Sequence, residues 1–241
     1  MSESPLKPIA DGLWEANDDH IAAAGAIHFP LRMTVAQRPD GGLVLISPVP
    51  IGEPLAAALA QVGEVTDIVA PNGLHHLHAA AALDRYPSAQ LWLAPCLADK
   101  RPELALRGKV LTDTPASWAP ALSAHPVLGA PALTEVVVLH QPSRTLVTTD
   151  LVFHIHESRG WLMPLILRMS GGWKRLAQTR LMRSMLKDRA AARGSFEALL
   201  ALDFDRLIMA HGEIVDRGGH SALAEALAWL VPPAVPRPVT T

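Results

Sequence analysis

The chain has 241 residues, 49% of them hydrophobic and 18% charged, with a formal net charge of −2. That length suits one sizeable core, and the near-neutral balance gives no general pull toward nucleic acid or an anionic membrane. The single Cys96 excludes an internal disulfide framework and a cysteine-built zinc site, which leaves histidine and carboxylate as the available metal ligands.

The opening Met-Ser-Glu-Ser-Pro-Leu-Lys-Pro has no apolar signal core, and no apolar run approaches ~20 residues. The expectation is a cytoplasmic protein with no transmembrane segment and no nucleic-acid partner; a homo-oligomer stays open. Leu13-Trp14, Ala26 to Val35 and Leu43 to Val49 read as strands, with a hairpin turn at Pro39-Asp40-Gly41-Gly42. Glu53-Pro54 starts a helix through Val62, and Gly63 ends it before the strand Val65 to Ala70.

That strand breaks at Pro71-Asn72-Gly73 and leads into His75, His76 and His78. A helix is expected from Leu74 to about Tyr86, which would put His75 and His78 on one face and His76 about 100° round. Corners of this kind, where a strand meets a loop, are rigid enough to aim ligand-binding side chains. Gln90 to Ala94 reads as the next strand. Prolines 95, 102, 115, 120, 126 and 131 then predict surface connectors, with short helices near Cys96–Asp99 and Ser117–Leu122.

Thr134 to His140 and Thr145 to Phe153 are apolar runs joined by Gln141-Pro-Ser-Arg144, a hairpin signature. Asp150 interrupts the second run, and burying a carboxylate there is costly unless it is paired, hydrogen-bonded or coordinated. Between Arg168 and Arg193 eight cations face the single acid Asp188, with apolar residues at roughly helical spacing opposite them. The plain reading is a solvated amphipathic helix or helix pair; the sharper one is a lid that attracts an anionic substrate, or a surface for a membrane or partner. Leu207 to Ala210 is a late strand ending in His211-Gly212-Glu213, followed by a helix from Ser221 to Leu230 and a proline-rich tail.

Three strand ends thus carry His75/His76, Asp150 and His211. His20, His28, His125, His140 and His220 read as satisfied or exposed side chains, and His154 and His156 as facing one side of an extended segment.

In the order His-rich corner, Thr-Leu-Val-Thr-Thr-Asp150, and Leu-Ile-Met-Ala-His211-Gly212, the chain resembles the metallo-β-lactamase superfamily from about Leu13 to Leu230. The resemblance implies an α/β fold, a four-layer αββα sandwich in a single domain over residues 1–241, with the basic helical stretch at about 161–202 as an insertion. It also implies one or two zinc, iron or manganese ions, commonly for hydrolysis. The usual first motif, His-x-His-x-Asp-His, is degraded. One register places Asn72, Leu74, His76 and Leu77 on its ligand positions; a one-residue slip places Pro71, Gly73, His75 and His76 there. Gly129 to Thr134 stands where a middle histidine is expected. The reading is therefore one divalent ion, Zn or Fe, in the second position, held by His75 and/or His76, Asp150 and His211.

Such an ion would activate water for cleavage of an ester, thioester, amide or phosphoester in a small-molecule substrate. Asp150, His76 and Glu135 are the candidate catalytic residues, with Glu213 a further proton carrier; Asn72, His154 and Arg168 are the candidates for substrate binding. The alternative is a binding or scaffold protein that keeps the sandwich with a structural metal or none.

Overall fold

The computed structural model describes residues 4–22, 27–158 and 161–232. Ala26, at the start of the second expected strand, and the proline-rich tail from 233 lie outside them. Two sheets organise the chain. The first has seven strands in sequential order: β1 (Lys7–Ala10), β2 (Leu13–Ala22), β3 (Ile27–Gln37), β4 (Leu43–Ile46), β5 (Val65–Ala70), β6 (Gln90–Leu93) and β7 (Gly108–Val110). Pairing is antiparallel from β1 to β4 and parallel from β4 to β7, the switch falling where the helix α1 (Glu53–Val62) crosses over. The second sheet runs β11 (Arg206–Ile208), β10 (Thr145–Val147), β9 (Glu135–His140), β8 (Leu122–Val127), with only β10 and β11 parallel.

Side-chain alternation shows how the layers stack. Along β9, Val136 and Val138 join the core cluster of the first sheet, while Val137 and Leu139 join a separate cluster with the helices α7 (Arg189–Leu200) and α8 (Gly219–Leu227). Both faces of β9 are therefore buried, as its uninterrupted Val-Val-Val requires. The remaining helices, α2 (Ala79–Arg85), α3 (Leu97–Lys100), α4 (Pro102–Ala105), α5 (Met163–Ser170) and α6 (Arg180–Met185), complete an αββα arrangement.

Several expectations change. The histidine helix begins only at Ala79, and residues 74–78 form turns. The proline-rich middle third is not all connector, because Leu122-Ser-Ala-His-Pro-Val127 forms β8. Pro126 is tolerated there because β8 is a sheet edge and a missing N–H faces away from the ladder. The second hairpin strand ends at Val147, so Asp150 sits on a bend beyond it.

Buried Asp67, near the start of β5, ties this sheet to its surroundings. Its Oδ1 accepts from the Trp92 and Trp118 indoles at 2.6 and 3.1 Å, and its Oδ2 accepts from Arg38 at 2.8 Å. The charge is fully compensated and has a structural explanation.

His140, at the end of β9, is 1% exposed, and burial pushes its imidazole from 6.5 down to about 4. The unfolded chain takes up that proton near pH 6.5 and the folded chain resists it, so this contribution is whole above 6.5 and lost as pH falls toward 4. Urea unfolding across that window should show a shallower acid decline for His140→Gln than for the wild type.

Candidate metal centre

The site forms where β5, the end of the β9–β10 hairpin and β11 deliver their loops to one place. After β5, Pro71 ends the strand and Asn72 folds the chain back on itself. The Asn72 Oδ1 accepts the backbone N–H groups of Leu74 and His75 at 2.7 and 2.8 Å, a side-chain-closed turn. This turn aims His75 inward. After β10, Thr149 and Asp150 donate their backbone N–H groups to the two Glu135 carboxylate oxygens, each at 2.7 Å. After β11, Gly212 adopts φ 99°, which lets the chain pass against His154 and turns His211 toward the other two.

The three side chains meet closely. The His75 and His211 Nε2 atoms are 3.1 Å apart, and each lies 3.3 Å from one oxygen of Asp150. Donors held about 2.0 Å from a tetrahedral zinc ion stand about 3.3 Å from one another, so the spacing matches the edges of such a coordination shell. The outer contacts agree with it. His211 Nδ1 donates to the Pro30 carbonyl at 2.7 Å, which fixes the tautomer with the lone pair on Nε2. His75 Nδ1 lies 2.7 Å from Ser47 Oγ, and Ser47 holds the left-handed φ of 59° directly after β4. Arg32 on β3 donates to the Met209 carbonyl at 2.6 Å and so anchors the segment that leads to His211.

Electrostatics complete the picture. Burial alone would raise the Asp150 carboxyl, but the His75 and His211 imidazoles outweigh it and hold the group well below the usual carboxylate range. Burial and the Asp150 charge push Glu135 up, against the backbone N–H groups that it accepts. Burial opposes charge on His75, yet Asp150 beside it and Glu135 beyond raise its pKa.

No protein-family model matches this chain, and no curated protein matches it. Solved structures do. A metallo-β-lactamase from Pontibacter korlensis superposes with a TM-score of 0.64 at 18% identity, covering 94% of this chain and 98% of that one. The metallo-β-lactamase FIM-1 from Pseudomonas aeruginosa in its mono-zinc form gives 0.60 at 14% identity, covering 94% and 96%. One from Erythrobacter litoralis gives 0.59 at 16%, covering 94% and 91%.

The chain has the metallo-β-lactamase fold.

Within the metallo-β-lactamase fold the expected residues part company. His75, Asp150 and His211 come together; His76 does not. It is buried on the far side of the turn, where burial and the charges of Arg101 and Lys100 lower its pKa. Neighbouring residues in a turn point apart, which the helical expectation for residues 74–78 obscured. Asn72 is fully buried, and its amide donates to Asp150 Oδ2, Thr149 Oγ1 and Glu135 Oε2 at 2.8, 2.9 and 3.3 Å. It positions the carboxylate and has no donor left for a substrate oxyanion. Glu135 braces Asp150 and not an imidazole.

A cavity of ≈ 320 Å³ opens beside the cluster. Leu31, Val49, Phe153, Met163, Leu167 and Met182 supply its apolar wall, and Ser47, His75, Asp150 and His211 its polar end. Arg168 and His154 are not on that lining: Arg168 stacks 5.3 Å from the Trp173 ring centre, and His154 packs against His156. His78 is on it. Ser47 and Pro30 escaped sequence reasoning. The one available sign was a serine placed directly after the apolar run Leu43 to Ile46.

Proposed function

We propose that this chain is a metal-dependent hydrolase that holds one divalent ion, zinc or iron, through His75, Asp150 and His211 and acts on a small, largely apolar molecule. The observation that carries this reading is the set of 3.1 to 3.3 Å separations among three donors, Asp150 and His211 buried and His75 nearly so, whose outer contacts fix their orientation. A divalent ion bound there supplies Lewis acidity toward water and toward a carbonyl or phosphoryl oxygen. The protein's own part is positional. Asn72 holds the Asp150 carboxylate and Glu135 its backbone N–H, while Pro30 and Ser47 set the two imidazoles. The apolar wall grips the non-reacting part of the substrate and excludes bulk water from the polar end. Among the described residues no lysine or arginine lines the cavity, whose wall is mostly apolar. Among the described residues His78 is the remaining titratable side chain on the wall, placed to carry a proton to a leaving group.

One feature favours the scaffold alternative. A proton on His75 Nε2 could bridge His211 and Asp150 and close the cluster without an ion. Metal analysis of protein purified without chelators separates the two. The hydrolase reading expects about one equivalent of zinc or iron, and less than about a tenth in His75→Ala or His211→Ala, because two donors alone hold such an ion poorly. Ester, thioester and phosphodiester cleavage should fall in parallel by about 10³-fold or more. His76→Ala should keep both metal and turnover. Wild type that binds no metal yet loses stability in His211→Ala would establish the scaffold.

A further inference from the structure

We propose that the mouth of the cavity docks on an anionic lipid bilayer, and that the molecule hydrolysed is a lipophilic ester or amide taken from that bilayer. The second half rests on the functional reading above; the docking does not.

The surface is unusual in two ways at once. Of the ten large hydrophobic side chains left exposed among the described residues, seven fall within residues 74–77 or 161–181. Trp161, Leu165 and Met169 are spaced by four along α5 and its approach, so they form one stripe, with Trp161 77% and Met169 68% exposed. Leu181 on α6 and Leu77 from the facing turn are exposed as well, and both also line the cavity. Ile166, next to Leu165 on α5, is likewise exposed and on the lining, so exposed apolar side chains run into the cavity wall at Leu77, Ile166 and Leu181. Exposed apolar area of this kind is rarely left bare without an occupant.

Charge selects the occupant. Residues 161–187 hold Arg168, Lys174, Arg175, Arg180, Arg183 and Lys187 and not one aspartate or glutamate. Among the described residues none of the six forms a salt bridge. Arg180 donates to the Met169 carbonyl, which seats it beside the apolar stripe, and its charge together with that of Arg175 bears on Arg183. Leucine, methionine and tryptophan beside arginines that no carboxylate neutralises is the composition of an element that lies in a membrane interface. A second copy of this chain would bring two such cationic fringes together, which repulsion disfavours. Among the described residues no helix is long and apolar enough to cross a membrane, and the contact proposed is with the surface layer. A lipid chain leaving the bilayer at Leu77 and Leu181 would reach the polar end of the cavity along apolar wall.

Co-sedimentation of the full chain with vesicles reads the docking without any turnover. Vesicles of phosphatidylcholine with phosphatidylglycerol should retain at least about tenfold more protein than phosphatidylcholine alone, and added salt should weaken the difference. Trp161→Ser/Leu165→Ser/Met169→Ser should lower retention by about tenfold or more while melting temperature and metal content stay at wild-type values. Arg168→Gln/Arg180→Gln should lose the preference for the anionic vesicles. The docking is overturned if wild type stays in the supernatant with both vesicles, if the serine variant binds undiminished, or if that variant instead dissolves a dimer. If docking holds but short soluble esters are cleaved faster than long-chain esters in the same vesicles, the lipophilic substrate is overturned alone.

Discussion

Gly212→Ala should unfold the late loop and break up the His75, Asp150 and His211 cluster in one step. A Cβ at this position would sit 2.0 Å from the His154 carbonyl oxygen and 2.3 Å from its carbon, and both belong to backbone that cannot swing away. The residue also holds φ 99°, which alanine adopts only with strain. The strand-like contact is itself stitched by hydrogen bonds from His154 N to His211 O and from Glu213 N to His154 O, at 3.1 and 2.8 Å. Forcing it open should cost about 3 kcal/mol or more in urea unfolding and displace His211 from its partners. Gly218→Ala is the matched comparison, with φ 71° and nothing within 4 Å of the added carbon. It carries the strain without the clash and should cost only about 1 kcal/mol.

Glu135→Ala should be nearly as damaging, for a different reason. The side chain is 3% exposed and accepts from the backbone of Thr149 and Asp150 and from the Asn72 amide. Truncation strands two buried N–H groups at roughly 1–3 kcal/mol each and frees the bend that carries Asp150. Urea unfolding should therefore register a loss of about 2–5 kcal/mol. Competition with a chelator should show metal affinity down by about 10- to 100-fold, as for other groups that brace a ligand. Glu135→Gln keeps one acceptor oxygen and should fall between the two.

The sequence spoke most clearly where elements are long and regular. The strands at β4, β5 and β9 and the helix α1 stand out because buried runs and turn residues agree with one another. The three strand ends that deliver His75, Asp150 and His211 were visible for the same reason. What hid was local geometry at bends. His75 and His76 differ by one residue, and only the Asn72-closed turn decides which faces the cluster; an expected helix would have placed them 100° apart. Ser47 and the Pro30 carbonyl act through contacts between distant segments, for which a single sequence carries no pattern. β8 was masked by Pro126, a residue that argues against a strand until its edge position is known. The basic stretch showed its charge but not its division into α5, α6 and α7, nor the apolar face it turns outward.

The proposed hydrolase requires His75, Asp150 and His211 to share one ion. Anomalous diffraction at the zinc or iron edge, from crystals of protein purified without chelators, tests it most directly. One peak is expected, lying about 2.0–2.2 Å from His75 Nε2, His211 Nε2 and an Asp150 oxygen. A featureless map at that point, or a peak coordinated by His76 in place of His75, would contradict it.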